Sequence, residues 1–200
     1  MELRQSAIRG AQHEMGHYIV ARALGFRTGE VSIELRTLDD PYGFTNIEMQ
    51  ENLATMNDIK TYLQRRSLVL FAGSAAETLP SDTIEKFVDN DAVLDILHRS
   101  DRRKGKDLAK ARELINILRN ISQSASDFGH VTATQDEPAC LEAKLLRRAA
   151  ELVENYGETI VALGCALAMK IEAVDEKVMF EAKDLERIPS IRSITVIRPF

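Results

Sequence analysis

Apolar residues at Leu3, Ile8, Ala11, Met15, Ile19, Val20 and Ala23 recur at helical spacing. They predict a helix over 3–24 that stops at Gly25. The same segment carries a second stripe, Gly10, His13, Glu14, His17 and Ala21, of small and polar residues. Gly16 weakens such a helix by about 1 kcal/mol against alanine, so close approach of another backbone is expected there. The period then changes. Val31-Ser32-Ile33-Glu34-Leu35-Arg36 alternates and predicts a strand, and Phe44-Thr45-Asn46-Ile47-Glu48-Met49 predicts another. Asp39, Asp40, Pro41 and Gly43 supply the loop between them. The two strands should pair as a small antiparallel unit beside the first helix.

A long helix follows over roughly 58–78, capped by Thr55 or Asn57 and ended by Pro80. Its stretch Ser67 to Glu77 is strongly apolar and should be central. A helical stretch from Ser81 to about 99 leads to a charged hinge at 100–106. Within the hinge the basic run Arg102, Arg103, Lys104 and Lys106 reads as a solvated loop. A helix over about 106–122 presents Leu108, Ala111, Leu114, Ile115 and Leu118 on one face. Residues 123–137 read as a polar loop. Pro138 fits the first turn of a helix reaching Tyr156, Gly157 breaks it, and another helix covers about 158–173. A short helix near 181–187 and an extended tail from Pro189 complete the pattern. The architecture expected is mainly α with a small sheet.

Composition narrows the function classes. The 200 residues suit one domain with a sizeable core, and a net charge of −5 gives no sign of a nucleic-acid partner. No apolar run approaches a membrane span, and the N-terminus does not read as a signal peptide. Cys140 and Cys165 lack metal-site spacing and read as reduced cysteines of a cytoplasmic protein. No phosphate-binding loop of the G-x-x-x-x-G-K-[ST] type occurs.

The chemistry is concentrated in the first helix. His13-Glu14-Met15-Gly16-His17 is an H-E-x-x-H motif. Histidines four apart lie on one helical face and can reach a single Zn2+ ion. The glutamate beside the first is placed to take a proton from a zinc-bound water. A catalytic zinc needs a third protein ligand. Neither His98 nor His130 has the spacing for it, so a carboxylate is expected, with Glu77, Asp91, Asp101 and Asp107 as candidates. Glu77 could instead orient a ligand. His130, in a polar loop, reads as solvated rather than catalytic.

The segments HEMGHYIVARALG, VSIELR, YGFT, LVLFAGSAAE and GKDLAKARELI occur in that order, followed by helices over 142–188. In this order they resemble the peptidase domain of the FtsH-type ATP-dependent zinc metalloproteases, over roughly residues 7–188. Ser74 stands where that family usually has arginine, and Lys106-Asp107 where it has a Ser/Asn-Asp pair. Asp91, in Asp89-Asn90-Asp91, also resembles that pair. The resemblance implies a helical metallopeptidase domain with a small antiparallel β unit next to the zinc-binding helix. Residues 1–200 would form one such domain, with 1–123 as the catalytic part and 138–188 as the C-terminal helical part. It implies a zinc endopeptidase acting on unfolded proteins or peptides. Glu14 would be the base, His13, His17 and Asp107 the metal ligands, and Gly43, Phe44 and Thr45 the substrate-binding edge. Asp91 and Glu77 stay open as alternatives to Asp107. Relatives are hexameric and carry an AAA motor that these 200 residues lack, so a homo-oligomer or a separate ATPase partner is expected. The alternative is a non-catalytic, protease-like interaction domain.

Overall fold

The computed structural model describes residues 2–37, 40–48, 50–98, 104–124 and 137–197. Its larger helices are α1 (Glu2–Ala23), α2 (Met56–Glu77), α3 (Asn90–His98), α4 (Lys104–Ser124), α5 (Glu137–Asn155) and α6 (Gly157–Ala168). Two short helices follow, α7 (Ala182–Leu185) and α8 (Pro189–Arg192). Three strands, β1 (Arg27–Thr37), β2 (Asp40–Glu48) and β3 (Lys177–Phe180), form one antiparallel sheet in the order β2-β1-β3. The fold is therefore mainly α with a small antiparallel sheet, as the periodicity predicts.

Helix α1 runs through the middle, packed against α2, α6, β1 and β2. Its apolar stripe is core: Met15, Tyr18, Ile19 and Val20 have no exposed surface. Its small residues set the spacing of the neighbours. A Cβ on Gly16 would overlap Ala76 and the Ala72 carbonyl of α2, so the expected close backbone approach is a helix crossing. A Cβ on Gly10 would overlap Pro41 of β2. Gly164 lets α6 rest on the backbone of Gln12.

Residues Val31, Ile33 and Leu35 of β1 are buried towards the helices. Through the pairing Val31↔Thr45 and Ile33↔Gly43, the odd-numbered residues of β2 share that face. In the three-stranded sheet β2 is an edge. Helix α2 begins with a capping box. Thr55 Oγ1 accepts from the Asp58 N–H at 3.1 Å, and Asp58 Oδ2 accepts from the Thr55 N–H at 2.8 Å.

Several boundaries differ from the sequence pattern. Residues 81–89 are not helical. Asp89 Oδ1 instead caps α3, accepting from the N–H groups of Asp91 and Ala92 at 3.1 and 3.0 Å. The hinge gives way to helix at Lys104, so Lys106 belongs to the first turn of α4. Helix α6 stops at Ala168 rather than 173 because the chain reverses. Asp175 adopts φ 65°, and its N–H donates to Leu35 O at 2.8 Å. That reversal lays β3, which the pattern misses, onto β1. The tail is not simply extended: Pro189 starts α8, which buries Ile191, and the Ile197 N–H then reaches Ala23 O at 2.8 Å. Residues 125–136, which carry His130 and most of the polar loop, lie outside the described residues, as do Asp101, Arg102 and Arg103. No helix among the described residues is long and apolar enough to cross a membrane.

Candidate metal centre

His13 and His17 leave α1 one turn apart and meet Asp107, which reaches them from the first turn of α4. His13 Nε2 and His17 Nε2 are 3.1 Å apart. Asp107 Oδ2 lies 3.5 Å from the first and 3.3 Å from the second. A tetrahedral ion held at about 2.0–2.2 Å separates its ligand atoms by about 3.3–3.6 Å. The three atoms thus form one face of such a tetrahedron.

The outer nitrogen of each ring also faces an oxygen, within hydrogen-bonding geometry for His17 and at ion-pair distance for His13. His17 Nδ1 is 2.7 Å from Val69 O, a carbonyl that can only accept, so Nδ1 carries a hydrogen and Nε2 is the nitrogen turned to the centre. His13 Nδ1 faces Glu77 Oε2 at 3.4 Å. Ligating histidines commonly hold their other N–H against a carbonyl or a carboxylate in this way. Two imidazole nitrogens and a carboxylate oxygen therefore converge where a positive charge is favoured. Without a metal that charge is a proton. Burial disfavours protonation of His13, but Asp107, Glu77 and Glu14 outweigh it and raise its pKa from 6.5 to about 10. Burial likewise opposes ionisation of Asp107, and the two histidines overcome it, holding the carboxyl well below the usual range.

Helix α2 makes room for this convergence. A Cβ on Gly73 would overlap His17 Nε2 and Cε1 and His13 Nε2. The sequence pattern treats Gly73 only as part of an apolar helix. Its cost in mid-helix, about 1 kcal/mol, is the signal that could have singled it out.

Glu14 points to the other side of the cleft. Its carboxylate rests on the backbone of Gly43, where a Cβ would collide with it. Thr45 Oγ1 lies 2.6 Å from Glu14 Oε2 and 3.0 Å from Glu14 O. Thus β2 fixes the glutamate as well as edging the cleft. Phe44 lines the same cleft, its side chain half exposed and out of register with Gly43 and Thr45.

No protein-family model matches the chain, and no curated protein matches it significantly.

The cleft has a volume of about 370 Å³. Its walls are α1 with β2 on one side, and Arg66, Leu70 and Glu77 of α2 with Lys106, Asp107 and Lys110 of α4 on the other. Of the described carboxylates considered as third ligand, Asp107 is the one that approaches both Nε2 atoms. Glu77 stands behind His13 at its Nδ1, where it can orient the ring but does not reach Nε2. Asp91 is exposed in the first turn of α3 and is not part of the cleft. Lys106 is exposed, as read from the sequence, but stands in the first turn of α4, where it lines the cleft.

Proposed function

We propose that the chain is a zinc-dependent endopeptidase that hydrolyses peptide bonds of unfolded proteins or short peptides. One observation carries the reading: a near-tetrahedral triangle of two imidazole nitrogens and one carboxylate oxygen, with Glu14 beside it on the same helix. Two neutral nitrogens and one carboxylate, with a side open to a cleft, suit catalytic zinc better than a harder cation that prefers all-oxygen ligands. When bound, zinc would acidify a water molecule and polarise the substrate carbonyl.

The chain's own groups supply the rest. His17, held by Val69 O, and His13, backed by Glu77, keep their Nε2 lone pairs on the centre. Glu14 takes the proton from the attacking water and passes it to the leaving amine. Thr45 holds that carboxylate in place. The edge of β2 at Tyr42, Gly43, Phe44 and Thr45 can take an extended peptide through main-chain hydrogen bonds, which demands little of its sequence.

The intact Glu14 and the position of Asp107 favour an enzyme over a non-catalytic interaction domain. The FtsH-type kinship, a hexameric or ATPase-delivered assembly and a cytoplasmic location belong to this proposal. They rest on the ordered motifs and the two free cysteines.

The test is zinc per chain by elemental analysis, followed by cleavage of an unfolded protein. We expect about one equivalent of zinc, lost in Asp107→Ala and kept in Asp91→Ala, and proteolysis abolished in Glu14→Gln. Absence of zinc after reconstitution, or proteolysis that survives Glu14→Gln, would overturn the reading.

A further inference from the structure

The wall facing β2 across the cleft carries three cations. Arg66 stands one turn before Leu70 on α2, and Lys106 and Lys110 lie one turn apart on α4, flanking Asp107. All three line the same cavity as the histidines and Glu14. The carboxylates that share this cavity already have other work. Glu14 is hydrogen-bonded to Thr45, Glu77 faces His13, and Asp107 is turned to both histidines. Among the described residues, no hydrogen bond or ion pair at 4 Å or less engages Arg66, Lys106 or Lys110. Arg66 is half-buried, and burial pushes its pKa down although Tyr62 and Asp107 oppose this. Its charge is poorly solvated, so it gains more from an anionic partner than an exposed cation does.

We infer that Arg66, Lys106 and Lys110 form an anion subsite that receives a carboxylate of the bound polypeptide next to the scissile bond. The subsite rests on the peptidase reading for the direction of the chain. A peptide added to the edge of β2 sends alternate side chains into the cleft. A Glu or Asp side chain one position from the cleaved bond, or the C-terminal carboxylate of a short peptide, then meets the basic wall. A guanidinium can grip it through paired N–H bonds, and the two lysines add charge. A neutral side chain finds no comparable partner there. The preference is therefore for acidic segments or free C-termini, despite the chain's own net charge of −5.

The experiment reads binding, so that it does not depend on turnover. Full-length Glu14→Gln protein supplied with zinc is titrated by fluorescence anisotropy against three peptides of equal length. One is neutral and amidated, one has Gln replaced by Glu and is amidated, and one is neutral with a free C-terminus. At low ionic strength at least one carboxylate peptide should bind about tenfold more tightly than the neutral one, and the ratio should shrink as salt rises. Whichever carboxylate peptide wins identifies the source. Arg66→Gln and Lys110→Gln should each reduce the ratio towards one, and Arg66→Lys should restore part of it. Lys144→Gln, on the exposed side of α5, removes the same charge elsewhere and should leave the ratio in place. Lys110 is exposed, so its variant tests the subsite even if Arg66→Gln does not fold. Equal binding of the three peptides, or a ratio untouched by both substitutions, would overturn the subsite while leaving the peptidase reading intact. Preferential binding by a wild-type protein that cleaves none of the peptides would do the reverse.

Discussion

Replacing Gly73 with alanine separates a metal cradle from an ordinary helix crossing. The added Cβ falls on His17 Nε2 and Cε1 and on His13 Nε2, so both rings must turn aside before α2 can keep its place. Alanine favours the helix by about 1 kcal/mol over glycine. Moving a ring about 30° off its rotamer costs about 0.5–1.5 kcal/mol. For two rings that is about 1–3 kcal/mol, so the metal-free variant should still fold, at most about 2 kcal/mol less stable than the parent and melting at most about 8 °C below it. Zinc binding should suffer far more, because the atoms displaced are its proposed ligands. Loss of even an outer-shell partner weakens a metal site about 10–100-fold, so a drop of about 100-fold or more is expected. At saturating zinc that drop removes about 2.7 kcal/mol of ligand-induced stabilisation. For a domain of this size it corresponds to about 5–11 °C of the melting-temperature rise that zinc gives the parent. Thermal unfolding with and without zinc, together with competition against a fluorescent chelator, measures both quantities. A folded variant with parental zinc affinity would refute the cradle. So would a metal-free variant that melts far below the parent, since Gly73 would then serve packing alone.

Thr45→Val removes the hydroxyl at 2.6 Å from Glu14 Oε2 without changing side-chain size. A hydrogen bond to a charged group contributes about 1.5–3 kcal/mol, so kcat/KM should fall at least about tenfold with zinc content unchanged; parental kinetics would refute this. Glu77→Gln should weaken zinc about 10–100-fold through His13 Nδ1, as read by chelator competition, whereas unchanged affinity would leave Glu77 a packing role only. In the metal-free protein the His13 pKa stands near 10, above its ordinary 6.5. The proton on His13 therefore stabilises the fold in full below about pH 6.5, and that contribution fades as the pH rises through about 10. Zinc needs the deprotonated ring, so uptake at pH 7 should release about one proton from His13. Calorimetry in buffers of different ionisation enthalpy counts it, and no release would contradict the arrangement of His13 between Asp107 and Glu77.

The site was most legible where one helix carries it. His13, Glu14 and His17 declare themselves by a spacing that the α-helix converts directly into a shared face. Asp107 lies 90 residues beyond His17, and nothing local in its turn of α4 differs from an ordinary helix start. The helix that follows it, rather than any pattern in its own turn, favours it over Asp91, and Asp91 proves to open a different helix capped by Asp89. The boundaries that went wrong share a cause in tertiary context. Ile171 is buried and in phase with α6, yet the chain has already turned back towards β1. Strand β3 has four residues, too few for alternation to register, and exists because β1 offers it an edge. Arg66 and Lys110 become visible only when α1, α2 and α4 are brought together, since each alone reads as a routine helical residue, and Gly73 offers the sequence no more than its mid-helix cost.

The hydroxyl of Thr45 lies within reach of two acceptors on one residue, Glu14 Oε2 and Glu14 O. It has one hydrogen and can give it to only one of them. With Glu14 ionised, the hydrogen belongs to the carboxylate. Once Glu14 has taken up a proton at Oε2, that oxygen becomes the donor. The Thr45 oxygen then accepts, and its own hydrogen swings to the backbone carbonyl. Both halves of a protonation cycle find complete partners through the turn of a single O–H bond, with no heavier atom displaced. In the proposed peptidase, a base mounted in this way could change protonation state without moving a heavier atom.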